Sequence, residues 1–312
     1  MGGGPYASMA AGVGGLPNVS VDVPICAVFL CLFIVGAVAH MTILQTNMRR
    51  KHFFRISGMM FGYCMARNVT CIMRIVWATR PRSIQIAIAA SIFSNAGVFI
   101  AFLINLIFAQ RLFTAAYPHI ATGKPFKLGF KVLYGLIVLT LVAAIASIIQ
   151  SSYTLDPYIH HVDRVIQLTA STLILVIAAL PVPLTIAAVL KARTTRPKHL
   201  GSGSWNAKVA VLVSTTLLAL TVAGFRCGTS WMTPRPRDRP YWFDAKWCYY
   251  FFNFVFDIAI IYTYWFARVD RRFHVIGKND VVDEVDAEGI KIKTDQCSNS
   301  SSTGSLKTSM MV

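Results

Sequence analysis

From residue 83 to residue 110 the chain carries no Asp, Glu, Lys or Arg, and the same holds for residues 132–155 and 165–190. These runs constrain the fold more than anything else in the sequence. A helix rising about 1.5 Å per residue needs roughly 20 apolar residues to cross a hydrocarbon core about 30 Å thick, and few buried helices of a soluble fold stay uncharged for so long. Seven stretches qualify, approximately residues 23–46, 55–79, 84–110, 132–153, 165–190, 208–229 and 247–267. Backbone polar groups in lipid must be satisfied within each segment, so the expected fold is all-α: a polytopic membrane protein with a seven-transmembrane-helix bundle. A composition of 55% hydrophobic and 14% charged residues excludes a disordered chain and an ordinary cytosolic enzyme.

Lys and Arg number 30 against 13 Asp and Glu, a formal net charge of +17. In a soluble chain that imbalance would suggest nucleic acid. Here the basic residues form short clusters between uncharged stretches, which is a topology signal, and no nucleic-acid partner is expected. One side collects seventeen of them, in residues 49–55, 111–131, 191–208 and 268–278, and the other side seven, in residues 80–82, 164 and 235–246. Basic residues resist translocation, so the N-terminus is expected outside and the C-terminus in the cytosol. Asn18-Val19-Ser20 is a glycosylation sequon on the outer segment, making Asn18 a candidate acceptor. Residues 1–22 lack the basic start of a cleavable signal peptide and read as a short extracellular segment, so targeting falls to the first helix. Residues 23–267 form the transmembrane domain, and residues 268–312 a cytosolic tail whose acids and serines predict disorder from about 279. The membrane is the plasma membrane or an endomembrane. Expected partners are membrane lipids and a cytosolic signalling protein at the basic inner loops and tail.

Ionisable groups at membrane depth cost several kcal/mol unless paired, so each is a candidate functional residue. There are four: Arg67, Arg74, Arg226 and Asp257. On the second helix Cys64, Arg67, Cys71 and Arg74 recur at spacings of three, four and three, which places them on one inward face. Arg67 and Asp257 both fall near mid-span, and an ion pair between them is predicted, either to fix helix register or to act as a gate. Arg74 and Arg226 lie in the outer halves of their helices with no acid left for them in the bilayer. They either snorkel outward or line an outward-opening cavity for an anionic group, to which Asn95, Asn105 and His40 add polar atoms.

Cys227 and Cys248 bracket an Arg- and Pro-rich outer loop, where a disulfide between them is sterically open. Pro181 and Pro183 should kink the fifth helix. His160, His161 and Asp163 are read as an outer loop that does not make a closed metal site. No Walker loop, dinucleotide fingerprint or nucleophile elbow is found, and no cofactor, metal or enzymatic activity is expected.

Three segments carry a family resemblance: residues 66–77 (ARNVTCIMRIVW), 105–111 (NLIFAQR) and 268–275 (RVDRRFHV). They resemble a group of fungal seven-helix membrane proteins, some of which are labelled family-C-like G-protein-coupled receptors, and the likeness runs over roughly residues 22–277. The layout is also similar to fungal lipid-translocating exporters of the aminocholesterol-resistance type. The resemblance implies the seven-helix fold and a fungal source, and it transfers no ligand. With the residues, it gives three functional expectations: a receptor-like sensor with a basic outward-facing pocket for an anionic or amphipathic ligand, a lipid or drug transporter, or a membrane scaffold that binds no ligand.

Overall fold

The computed structural model describes residues 4–6, 10–49, 55–194 and 200–273. Among these, every extended element is a helix, joined by one isolated bridge between Ala10 and Pro236. The long helices are α1 (Val19–Arg49), α2 (Arg55–Thr79), α3 (Ile84–Ala116), α5 (Lys124–Tyr153), α6 (Pro157–Ala179), α7 (Pro181–Thr194) and α8 (Trp205–Trp231), with a short α4 (Pro118–Thr122) between α3 and α5. The chain then forms a continuous helical run over residues 246–266, made of α9 (Lys246–Tyr250), a π-helical turn (Phe251–Val255) and α10 (Phe256–Phe266). It closes with α11 (Val269–Arg272).

Among the described residues, five helical spans are long and apolar enough to cross a membrane: α1, α3, α5, α6 together with α7 over 38 residues, and α8. Their outward faces are apolar. On α5 Val132, Val138, Leu139 and Val142 are exposed, and on α1 so are Val28, Val35 and Val38. Exposed apolar surface on this scale is what lipid solvates and water does not. The chain is therefore a multi-pass helical membrane protein.

The other two expected spans differ from these five for a physical reason. α2 is diluted by Ser57, Arg67, Asn68, Thr70 and Arg74, all buried. The run over residues 246–266 is interrupted by the π turn and carries Asn253 and Asp257, also buried. Both have turned their polar residues inward.

Helix ends also depart from the sequence reading. α5 starts at Lys124 rather than near residue 132, because Pro125 suits a first helical turn and its lysines extend the helix past the apolar stretch. α6 starts at Pro157, with the Asp156 carboxylate accepting from the Tyr158 amide at 2.9 Å. Residues 160–163 are therefore helical and not a loop; His160 and His161 are exposed while Asp163 is turned inward. Pro181 interrupts the hydrogen-bond ladder between α6 and α7, while Leu180 keeps helical backbone angles. The proline has no N–H for the ladder, and the Leu180 amide is shared between the Val176 and Ile177 carbonyls at 3.2 Å each.

Of the five apolar helices α3 is the most buried and α5 the least. α3 packs against α2, α7, α5, α8 and α6, so it forms the axis of the bundle. α2 packs on α1 and α3, and α10 on α8 and α1. This arrangement brings the polar faces of α2, α3, α8 and residues 246–266 together around Phe33, Tyr63, Phe108, Phe254 and Tyr264.

Candidate functional site

The expected pair between Arg67 and Asp257 is present, with the two side chains 0% and 1% exposed. The Arg67 guanidinium also donates to the Ser94 carbonyl at 3.4 Å and lies 5.8 Å from the rings of Tyr63 and Phe254. Gly97 packs against it: a Cβ there would stand 3.2 Å from two guanidinium nitrogens, so any larger residue would push Arg67 aside by a few tenths of an ångström.

Arg74 is not without an acid. α1 begins at Val19, four residues before the expected span, and this places Asp22 in its first turn, fully buried. The Asn18 side chain accepts from the Val21 amide at 3.0 Å, and Asp22 accepts from the Asn18 amide at 2.9 Å, so the two cap the helix reciprocally. Asp22 further accepts from Arg74 at 3.0 and 3.1 Å and from the Tyr250 hydroxyl at 2.7 Å, and it pairs with Lys246. One carboxylate thus serves two cations, at a helix N-terminus that favours negative charge.

Arg74 also holds the N-terminal segment. It donates to the Gly14 carbonyl at 2.7 Å and lies 4.6 Å over the Tyr249 ring. Gly14 has φ +88°, and a Cβ there would come within 2.7 Å of Tyr249. The Gly14 amide bonds the Asp244 carbonyl at 2.9 Å and the Ala11 amide the Arg235 carbonyl at 2.8 Å. Residues 10–16 are in this way strapped to the loop that precedes α9.

Arg226 on α8 is different. One terminal nitrogen donates to the Asn253 Oδ1 at 2.7 Å and the other to the Asn95 Oδ1. Among the described residues it has no carboxylate partner. Asn253 belongs to the π turn, and Tyr249, Asn253 and Asp257 descend the inner side of residues 246–266 in four-residue steps. Such steps drift by about 40° each on a regular helix, and a wider π turn takes up part of that drift.

These groups surround a cavity of about 670 Å³, within the range of small-molecule sites. Arg74, Arg226, Asn95, Asn253, Ser94 and Tyr249 provide its polar wall. Trp77, Phe225, Val13 and Leu16 provide apolar surface, and the strapped segment contributes Ala10 to Val13, Gly15 and Leu16.

Two of the polar residues expected around such a cavity lie elsewhere. Asn105 donates to the Thr215 carbonyl at 3.1 Å and accepts from the Thr215 hydroxyl at 3.0 Å and from the Tyr264 hydroxyl, tying α3, α8 and α10 together. His40 is buried with Nε2 at 3.3 Å from the Ile261 carbonyl oxygen. The expected Cys227–Cys248 disulfide is absent: both thiols are free and buried. Cys227 faces Thr172 on α6 at 3.9 Å, whereas Cys248 faces the Trp242 carbonyl at 3.8 Å, so the two point to different neighbours.

The inner basic residues also divide. Lys208 is buried and donates to the carbonyls of Leu200, Gly201 and Gly203, and Arg111 donates to the Phe273 carbonyl at 2.7 Å. Lys124, Lys127, Lys131, Arg193 and Arg271 remain exposed. Arg50, Lys51, Arg196, Lys198 and the tail expected to be disordered lie outside the described residues.

Sequence reasoning missed Asp22, Asn253 and the π turn. Only Asn253 left a signal, four residues before Asp257.

Residues 199–274 match a protein family described as of unknown function, DUF3112. The match contains Arg226, Asn253 and Asp257 but not Arg67, Arg74 or Asn95. No curated protein and no solved structure matches the chain.

Proposed function

We propose that this membrane protein is a receptor-like sensor whose cavity takes an anionic or amphipathic ligand from the outer side. In this reading α2 and residues 246–266 complete seven crossings, with Asn18 and the cavity outside and the exposed lysines of α5 facing a cytosolic partner. Both helices are long enough to cross, and their buried charges meet each other rather than lipid, which supports the count. No catalytic role is assigned to any residue.

The observation that carries the reading is Arg226. Its two terminal nitrogens meet only neutral amide oxygens at the cavity wall, although a carboxylate would hold a buried cation far better. Among the described residues in and behind the cavity wall, Arg67, Arg74, Arg226, Arg237 and Lys246 face Asp22, Asp244 and Asp257, so the site carries an excess of positive charge. An arriving anion supplies what the fold leaves out. Asn253 lies one helical turn from Asp257, so a ligand that alters the Arg226 contacts reaches the Arg67–Asp257 pair, the two-state element that a sensor needs.

Binding of octanoate and of octanol to the purified protein tests this by thermal shift. Octanoate is expected to stabilise the protein in a concentration-dependent way and octanol to have no such effect. Equal responses overturn the reading. Reconstituted vesicles separate a sensor from a transporter, because a sensor leaves octanoate flux at the level of empty vesicles.

A further inference from the structure

The cavity is about 670 Å³, far more than a bare inorganic anion occupies, and its walls pair one polar side with Trp77, Phe225, Val13 and Leu16. A ligand that fills it has a charged end and an apolar body. What the charged end is can be read from Arg226.

The guanidinium is a planar fork whose geometry matches two oxygens held on one atom, as in a carboxylate or a phosphate. In this structure each terminal nitrogen meets one amide oxygen, and the two come from different elements: Asn95 from α3 and Asn253 from the π turn. The amide ends of both residues are tied back to their own helices. Asn95 donates to the Ser91 carbonyl at 2.8 Å and Asn253 to the Tyr249 carbonyl at 3.0 Å. Two neutral oxygens from different helical segments therefore stand where a single ligand group would place two charged ones. Arg226 keeps some accessible surface while Asn253 is buried, so the free side of the fork is reached from the cavity.

We infer that the ligand presents an oxyanion, a carboxylate or a phosphate ester, which binds Arg226 through two oxygens and displaces the amide oxygens of Asn95 and Asn253. This rests on the cavity being the ligand site. Charge-assisted hydrogen bonds are roughly twice as strong as neutral ones, so the exchange favours the anion. Displacement on the α3 side changes little, because Asn95 sits in a regular helix. On the other side it releases Asn253 from α8 at the one turn of residues 246–266 that is not α-helical, directly above Asp257. Single π turns inserted in α-helices are frequent at functional sites. The ligand's charge is thereby converted into a change in the helix that carries Asp257.

The same headgroup chemistry is available from a soluble organic acid and from an anionic membrane lipid. The full-length protein in detergent is therefore titrated with octanoate, octyl phosphate and octanol, and in nanodiscs of phosphatidylcholine with and without phosphatidic acid. Stabilisation by the two octyl anions alone points to a soluble acid, and stabilisation by phosphatidic acid as well points to a lipid.

Asn253→Asp and Asn95→Asp each place a carboxylate beside Arg226 from within the chain. Each is expected to lower octyl anion affinity by about tenfold or more and to raise the ligand-free melting temperature. Arg226→Lys, which keeps the charge and loses the fork, is expected to weaken binding on the order of tenfold. Amide hydrogen exchange over residues 251–257 is expected to change when octyl phosphate binds.

If the anions bind the wild type and both Asp variants equally well, the displacement inference is overturned and the cavity remains a ligand site. If they bind and exchange over residues 251–257 does not move, the link to Asp257 is overturned. If a cooperatively folded wild type binds none of the anions, the inference and the reading beneath it fall together.

Discussion

The bundle holds two polar clusters that differ in one respect. Around Asn105, Thr215 and Tyr264 the side-chain hydrogen bonds link α3, α8 and α10, with Thr215 also bonding back within α8, and no formal charge is involved. Around Arg74, Arg226, Asn95 and Asn253 two of the groups are cations, all four line a cavity, and one of the cations, Arg226, is held only by amides. The first cluster is closed upon itself and serves packing. The second is left incomplete at a cavity wall, and on that difference rests the proposal that it binds a ligand.

The largest expected effect lies between the two clusters, at the pair that separates them. Arg67→Met or Asp257→Leu alone strands a buried charge and should cost about 3–5 kcal/mol, seen as loss of monodisperse protein in detergent. The double variant is expected to recover most of that loss, because apolar side chains replace a buried pair with little penalty. A double variant no better than either single would make the pair something other than a packing and gating lock.

Next in size is the closed cluster itself. Asn105→Leu should lower stability by about 1–2 kcal/mol in thermal or denaturant unfolding while leaving octanoate affinity unchanged. A change in affinity would erase the contrast between the clusters. Gly14→Ala comes after it: a Cβ at φ +88° costs about 1–2 kcal/mol locally and meets Tyr249, so the strap should detach. Limited proteolysis is expected to cut residues 10–16 faster, with the rest of the bundle intact. The smallest effect concerns the outer thiols. Denatured, unreduced protein should alkylate at both Cys227 and Cys248, and reductant should leave the melting temperature unmoved.

The ease with which these clusters can be read from sequence follows from their chemistry. Arg67 and Asp257 were legible because an uncompensated charge in lipid demands a partner, and Arg67 shares a helical stripe with Cys64, Cys71 and Arg74. Asp22 was not, since its placement depends on α1 starting at Val19, and that start is set by the cap made with Asn18 rather than by hydropathy. Asn253 lies in the aromatic run Tyr249 to Phe256, where hydropathy masks a single amide. The π turn has no residue signature in this sequence, and it decides which way Tyr249 and Asn253 point. Cys227 and Cys248 misled because proximity along a loop does not fix the direction of a thiol. Asn95 and Asn105, ten residues apart on α3, were equivalent as letters. Only the helices packed against each of them made one a cavity wall and the other a brace.

If Arg226 stands at a cavity open to the outer side of the membrane, position 226 can be reached by a reagent added outside. Arg226→Cys, in a chain whose other cysteines are replaced by Ser or Ala, can be treated in intact cells with a membrane-impermeant thiol reagent. Labelling from outside without permeabilisation is expected. Labelling that appears only after the membrane is opened would contradict that placement of Arg226.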